Sequence, residues 1–261
     1  MNFVSLLLTL FVGLFILVGS IIGLKYKNNS RLTDFSISIA FGVIISLILF
    51  EILPEAYEVL NEEIGTIRSI FTLLILILIG IVSLKILDLF VPHHGHEAHH
   101  HHEHLTTKCH NNHLHHIGIV SSIAVIFHNI IEGMSLYLVS SSSITSGLLL
   151  CLGIGLHNIP MGLVITSTLL ASNYSRQKAL KISLIVSIST FIGGFFMFIL
   201  GGVSELTEGI LLGFTLGMLI YIAVFELAHQ IYHMKNKKVA TLGIIIGVLL
   251  LGISVLLEKL I

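Results

Sequence analysis

Two short stretches of the sequence carry the same polar residues at the same spacing inside long apolar runs. The first, HNIIEGM, begins at His128, and the second, HNIPMGL, begins at His157. Residues three and four apart share one face of an α-helix, so Glu132 would lie one turn from both His128 and Asn129. The first stretch therefore predicts a patch made of an imidazole, an amide oxygen and a carboxylate, which are ligands that suit zinc and related divalent metals.

The second stretch presents His157 and Asn158 in the same relation to Met161, a methionine where the first stretch has its glutamate. Methionine is a common filler of gaps in apolar packing. A thioether facing the ion would instead favour Cu(I) or Zn(II) over Mn(II). Both interpretations stay open. Pro160 cannot donate to the carbonyl of Leu156, which predicts a kink and a freed carbonyl beside the histidine.

The elements that position these residues are predicted to cross a membrane. The chain is 55% hydrophobic and 10% charged, whereas charged residues make up roughly a quarter of soluble domains. Eight apolar runs approach or exceed the roughly 20 residues that a helix needs to cross about 30 Å of hydrocarbon. We expect an all-α integral membrane protein with a bundle of eight transmembrane helices. The runs are Phe3 to Leu24, Phe35 to Leu53, Ile67 to Val91, Ile117 to Val139, Ser146 to Ala171, Ala179 to Gly202, Gly209 to Tyr232 and Val239 to Leu257.

Lysine and arginine are distributed asymmetrically about these runs. They concentrate in the first, third, fifth and seventh connections, whereas the other connections and the termini keep only Arg68 and Lys259. Basic residues mark the cytoplasmic side of a membrane protein, so both termini are predicted to lie outside the cytoplasm. The basic residues are accounted for by this topology, and no nucleic-acid partner is expected.

The third connection, residues 92–116, is rich in histidine and holds 12 of the 16 histidines of the chain. It is internal and interleaved with Glu97, Glu103 and Cys109, which argues against a purification tag. Such a tract predicts weak binding of several metal ions, with a merely soluble loop as the alternative. The expected organisation is therefore helices one to three in residues 1–91, a cytoplasmic histidine-rich loop in 92–116, helices four and five with the metal site in 117–171, and helices six to eight in 172–261.

The predicted depth of the two motifs in the membrane supports a functional role for them. His128 and His157 each fall near the middle of a predicted span, about 15 Å from either surface at 1.5 Å per residue. Ionisable groups at that depth are costly and by default mark a transport or chemical site. The alternative explanation is that these polar residues are structural and only form hydrogen bonds between membrane helices. Two His-Asn copies at matched depth favour the ion site.

Two further stripes are candidate metal ligands or pathway residues. Glu51, Glu55 and Glu58 fall at positions i, i+4 and i+7 at the outer end of the second helix and could gather cations at an entrance. Glu226, His229 and His233 share a face near the inner end of the seventh helix and would suit an exit relay. Solvated helix ends are the alternative explanation of both stripes.

The motifs HNIIEG and HNIPMG resemble the paired metal signatures of the ZIP (Zrt/Irt-like) family of divalent-metal transporters. Eight helices, outside termini, a histidine-rich third connection and the segment LPEA at Leu53 extend the likeness over nearly the whole chain. The resemblance implies uptake of Zn²⁺, and often of Fe²⁺ or Mn²⁺, toward the cytoplasm through a midplane site between helices four and five. By motif matching it implies metal-binding roles for His128, Asn129, Glu132, His157 and Asn158.

Two positions depart from the pattern that the family implies. Met161 stands where the family's fifth-helix motif usually has an acid or a histidine, and Thr190 stands where the sixth helix often has a glutamate. Two carboxylates that could bridge a second metal are therefore missing, and a binuclear site is not expected. The expected site holds one metal through His128, Glu132, His157 and an amide oxygen or a water molecule.

The resulting hypothesis is a zinc-preferring divalent cation importer of the plasma membrane, not an enzyme, with no organic cofactor. Its expected partners are divalent metal ions and the lipid bilayer, and a homodimer is a candidate assembly. One alternative is a ZIP relative that binds or senses metal without transporting it. Another is an intramembrane metalloenzyme, which the absence of an H-E-x-x-H motif disfavours. Cation diffusion exporters share a histidine-rich loop but typically have six helices.

Overall fold

The eight predicted spans are all helical. A computed structural model of the protein describes residues 2–25, 30–90, 105–172 and 174–258. Within these ranges, eight helices are long and apolar enough to cross a membrane. Hydrocarbon offers no partner to backbone N–H and C=O groups, so each run must satisfy them internally as a helix. The prediction of an all-α, multi-pass membrane protein is confirmed, and the side that each terminus faces stays a prediction.

The membrane-length helices are numbered α1 to α8 in chain order. Six are uninterrupted: α1 is Phe3–Lys25, α3 is Thr66–Phe90, α4 is Leu105–Ser142, α5 is Ile144–Ala171, α6 is Arg176–Leu200 and α8 is Lys237–Glu258. Helix α2 consists of Ser30–Leu47, a π-helical turn Ile48–Ile52 and Leu53–Ile64. Helix α7 consists of Glu205–Tyr221, a π-helical turn Ile222–Leu227 and Ala228–His233.

Two helices extend further than the apolar runs indicate. Helix α2 begins at Ser30 and continues to Ile64, so polar turns at its C-terminal end are helical beyond the end of the apolar run at Leu53. Helix α4 begins at Leu105 and not at Ile117, so the last part of the histidine-rich segment is helical. Residues 91–104 lie outside the described residues, and the metal binding predicted for that segment stays a prediction.

The bundle has inner and outer helices. The most apolar windows of α2, α5 and α7 are 67% buried and that of α4 is 61% buried, against 22% for α3 and 28% for α8. The outer face of α3 exposes large apolar side chains such as Phe71, Leu74 and Leu78. In a membrane such a face lies against lipid, so α2, α4, α5 and α7 form the interior in which a polar site can be shielded.

Glycines let two of the inner helices, α4 and α5, approach neighbouring helices closely. A Cβ added at Gly133 of α4 would collide with the backbone carbonyl of Thr190 on α6. A Cβ added at Gly162 of α5 would collide in the same way with the carbonyl of Ile16 on α1. Small residues at such contacts are typical of membrane helices, whose association depends on packing. These two contacts fix α4 and α5 against the rest of the bundle.

Short turns join the helices at the end of the bundle that contains Ser143, which we call the Ser143 end. Gly65, with φ of 80°, joins α2 to α3, and Gly201, with φ of 75°, ends α6. Glycine is suited to both positions because other residues rarely adopt positive φ. The α5–α6 connection lies at the opposite end, which we call the Tyr174 end.

Candidate metal centre

A tight hairpin brings the two histidine motifs together. Helix α4 ends at Ser142 and α5 begins at Ile144, so Ser143 alone joins them. The Ser143 hydroxyl caps α5 by accepting a hydrogen bond from the backbone N–H of Ser146 at 3.3 Å. Helix α5 then runs as an α-helix through Pro160. Because the two helices are antiparallel neighbours, their central residues meet at the same depth.

Three side chains converge at this depth. The Nε2 atom of His128 lies 2.8 Å from Oε1 of Glu132, which is one turn further along α4. The Nε2 atom of His157, on α5, lies 2.6 Å from the same oxygen. The two imidazole rings are 6.1 Å apart between centroids and inclined by 39°. The predicted convergence of the two motifs across the helix pair is therefore present.

The three residues are almost completely buried: His157 is 0% exposed, His128 is 3% exposed and Glu132 is 8% exposed. One ligand atom from each lies within 4.8 Å of the others. The second carboxylate oxygen of Glu132 is buried and, within the described residues, has no hydrogen-bond partner. A buried carboxylate with an unused oxygen and two imidazoles beside it is a donor set able to hold a divalent cation.

The two predicted asparagine ligands are arranged differently from the histidines. The side-chain N–H of Asn129 donates to the backbone carbonyl of Val186 on α6 at 3.1 Å, which ties α4 to α6. The Oδ1 atom of Asn129 and both amide atoms of Asn158 are buried without a hydrogen-bond partner in the part of the chain that the structure describes. Unpaired buried amides are costly, so a ligand for them is physically reasonable. Their roles as metal ligands stay predictions.

Met161 and Thr190, the two departures from the family pattern, are both fully buried. The side chain of Met161 belongs to the large apolar core that also contains Ile16, Val164 and Ile165. This environment is the one that the packing interpretation of the methionine expects. The carbonyl of Thr190 faces Gly133 at the α4–α6 contact. The group of His128, Glu132 and His157 accordingly contains one carboxylate.

A cavity of about 300 Å³ adjoins this group on the side of the Ser143 end. Glu51 and Glu55 of α2 line it together with His128 and Glu132. Apolar side chains form most of the remaining wall, and they include Ile131, Val139, Leu150, Ile154 and Leu212. The cavity therefore joins the acidic stripe that the sequence singles out on α2 to the buried histidine group.

The second predicted stripe lies apart from this cavity, near the Tyr174 end of α7. Glu226 falls in the π-helical turn of α7 and is buried. His229 and His233 are exposed, and their ring centroids are 4.6 Å apart. The structure thus places this stripe near the end of the bundle away from the acidic stripe, and its role as an exit relay stays a prediction.

Sequence reasoning missed the two hydroxyl residues that line the cavity, Ser135 of α4 and Thr215 of α7. The Ser135 hydroxyl donates to a carboxylate oxygen of Glu208 at 3.5 Å. Hydroxyl residues are common in membrane helices and usually bond to their own backbone, so their presence in an apolar run is a weak signal. Only the packing of α4 and α7 shows which of them face the cavity.

Comparisons with known proteins find similar sequences over nearly the whole chain. Residues 92–254 match the family model described as ZIP Zinc transporter. A protein named Zinc transporter ZupT from Chlorobium chlorochromatii is 28% identical over 96% of both chains. Proteins of the same name from Chlorobaculum parvum and Lysinibacillus sphaericus are 28% and 23% identical, again over 96% of both chains.

Proposed function

The chain belongs to the ZIP family of zinc transporters, and from this premise we propose that it imports divalent metal cations, zinc preferred, through the site formed by His128, Glu132 and His157. Membership of this family supports a divalent metal transporter of the membrane and points away from an enzyme. The observation that carries the site assignment is the convergence of two imidazoles and one carboxylate at the middle of the bundle.

Small movements would convert the observed geometry into a zinc site. Nitrogen and oxygen ligands lie about 2.0–2.1 Å from Zn²⁺, so two ligands at tetrahedral angles are about 3.3 Å apart. The two Nε2 atoms lie 2.8 and 2.6 Å from the Glu132 oxygen. A rotation of the carboxylate that opens each distance by less than about 1 Å would admit the ion. The fourth ligand would be an amide oxygen or water.

The charge of this site supports one metal ion. Glu132 is the single carboxylate of the group, so bound Zn²⁺ would keep a net charge of about +1 with neutral imidazoles. A second divalent ion nearby would add strong repulsion in a setting of low dielectric constant. The packing of Met161 in the apolar core supports the same stoichiometry.

The cavity and the second stripe suggest the direction of the path. The cavity extends from Glu132 toward Glu55 at the Ser143 end, which the positive-inside rule assigns to the outside. Apolar core residues such as Val164 and Ile165 lie on α5 between the site and the Tyr174 end. In this proposal an ion reaches Glu132 through the cavity and leaves past Glu226 after the helices rearrange.

The test is zinc uptake by vesicles that contain the purified protein and a trapped zinc-sensitive dye. A unit charge about 4 Å from a divalent ion contributes on the order of 8 kcal/mol at an effective dielectric constant of about 20, before desolvation is subtracted. We therefore expect Glu132→Gln to lower zinc affinity by at least about a hundredfold and to abolish uptake. His157→Ala should do the same because it removes one imidazole.

Glu62→Gln is the matched control, since it makes the same chemical change at an exposed position of α2. We expect it to transport zinc like the unchanged protein. If Glu132→Gln and His157→Ala take up zinc as fast as Glu62→Gln and the unchanged protein, the site assignment is wrong.

A metal-binding relative that does not transport is the second candidate, because Met161 and Thr190 stand where the family pattern would place acids. In that case the purified protein would bind zinc in a Glu132-dependent way, yet vesicles would show no uptake. The same vesicle experiment, run beside a binding titration, separates the two functions.

A further inference from the structure

The cavity that leads to Glu132 contains a second group of oxygen atoms. Glu51 and Glu55, which carry carboxylates, line it from α2, and Thr215, which carries a hydroxyl, lines it from α7. The π-helical turn of α2, which contains Glu51, packs against α7. These side chains therefore line adjoining walls of one cavity, outside the group of His128, Glu132 and His157.

Thr215 is the residue that indicates a ligand at this position. It is 1% exposed, and its hydroxyl has no hydrogen-bond partner within the described residues. Buried threonines in helices usually donate to a carbonyl of the preceding turn, as Thr168 of α5 does to Val164 at 2.8 Å. A hydroxyl buried without such a bond destabilises the folded protein. A cation in the cavity would use the Thr215 oxygen and remove that destabilisation.

The backbone of α2 favours the same interpretation. The turn Ile48–Ile52 is π-helical, and one-turn π-bulges of this kind occur frequently at functional sites. Glu51 lies inside this turn and Glu55 lies one turn beyond it. The extra residue in a π-helical turn changes which side chains face inward, and here both carboxylates line the cavity.

We propose that Glu51, Glu55 and the Thr215 hydroxyl form an oxygen-only cation site that holds a partly hydrated divalent ion before it reaches Glu132. Its part in zinc uptake rests on the proposed function, whereas the binding of a cation at this site does not. Carboxylate and hydroxyl oxygens suit harder ions such as Mn²⁺ and Mg²⁺, whereas imidazoles suit Zn²⁺. The outer site would therefore gather divalent ions with little selection, and the histidine site would select among them.

The size of the cavity agrees with a hydrated ion. The volume of about 300 Å³ leaves room for several water molecules beside an ion. An ion in this space can keep several waters while the three side chains replace others. It would lose the remaining waters at the buried histidine group.

The experiment is a titration of the purified full-length protein in lipid nanodiscs with Mn²⁺ alone, followed by electron paramagnetic resonance. Thr215→Val keeps the side-chain shape and removes the hydroxyl, and we expect it to weaken Mn²⁺ binding by about tenfold or more. Glu51→Gln should weaken it further because it removes a charge. Thr215→Ser keeps the hydroxyl and should bind like the unchanged protein.

Two controls locate the ion. Thr168→Val removes a buried threonine hydroxyl on α5, away from the cavity, and should leave Mn²⁺ binding unchanged. His157→Ala disrupts the histidine site, and Mn²⁺ binding should persist in it. Loss of Mn²⁺ binding in His157→Ala, or unchanged affinity in both Thr215→Val and Glu51→Gln, would overturn the proposed outer site.

The outcome separates this site from the transport proposal. If vesicles take up zinc in a Glu132-dependent way while Thr215→Val binds Mn²⁺ normally, the outer site is wrong and the transport proposal stands. If Thr215→Val weakens Mn²⁺ binding in a protein that takes up no zinc, the outer site stands and the transport proposal is wrong.

Discussion

Gly133 follows Glu132 on α4, and replacing it with alanine tests whether the close contact between α4 and α6 holds the metal ligands in place. The added Cβ would lie 2.8 Å from the carbonyl carbon of Thr190 and 3.1 Å from the backbone nitrogen of Gly194. Both are backbone atoms, so no side-chain rotation can relieve the overlap. Ordinary contact begins at 3.4 Å, so the carbonyl carbon alone requires the helices to separate by about 0.6 Å, and the carbonyl oxygen of Thr190, which is closer still, requires more.

The displacement is large compared with the precision of a metal site. Metal–ligand distances are normally kept within about 0.2 Å of their preferred values, and Glu132 is the immediate neighbour of the substituted residue. Overpacking of this kind costs about 1–3 kcal/mol of folding free energy. We expect Gly133→Ala to remain folded, to bind zinc about tenfold more weakly or worse, and to lose uptake in the same proportion.

Calorimetric zinc titration gives the zinc affinity, vesicle uptake gives the transport rate, and thermal unfolding gives the stability of each variant. Gly252→Ala on α8 is the control, because its added Cβ meets nothing within 4 Å. It should match the unchanged protein in all three measurements. If Gly133→Ala binds and transports zinc normally while its unfolding temperature falls, the idea that the α4–α6 contact sets the ligand geometry is refuted.

Two other substitutions probe the composition of the site. Met161→Glu should add a second carboxylate one turn from His157, so the variant should bind zinc more tightly or bind two equivalents, as measured by titration and metal analysis. Met161→Gln is the uncharged control. The same stoichiometry and affinity in both variants would show that residue 161 does not reach the ion. Asn129→Leu should lose its hydrogen bond to Val186, which lowers the free energy of unfolding by about 1 kcal/mol. It should also weaken zinc binding about tenfold, because it removes the buried Oδ1 atom that we expect to be a ligand. Lower stability with unchanged zinc affinity would make Asn129 a structural tie between α4 and α6 only.

The helices and the core of the site could be predicted from the sequence because local rules decide both. An apolar run in hydrocarbon has to be helical, which determines the number of helices. The four-residue spacing places His128 and Glu132 on one face, and the short serine-rich turn makes α4 and α5 antiparallel neighbours. These two facts suffice to bring His157 to the same carboxylate.

The surroundings of the site could not be predicted, because they depend on contacts between residues far apart in the chain. Asn129 bonds to Val186, a carbonyl that belongs to another helix. The π-helical turn around Glu51 has no local sequence signature, yet it lies where α2 meets α7. Thr215 looks like any hydroxyl residue in a membrane helix until the packing shows that it faces the cavity.

The placement of the carboxylates explains how a site with one glutamate can serve a transporter. An ion pathway needs binding that is strong enough to admit the ion and weak enough to release it. A second acid at residue 161 would neutralise bound Zn²⁺ completely and would slow its release in a setting of low dielectric constant. Glu51 and Glu55 supply negative charge nearer the Ser143 end of the same cavity, where it raises the local concentration of cations without deepening the central site. In the proposed transporter, methionine at position 161 leaves the central site with one carboxylate while the acidic cavity would gather ions, so the departure from the family pattern is compatible with transport.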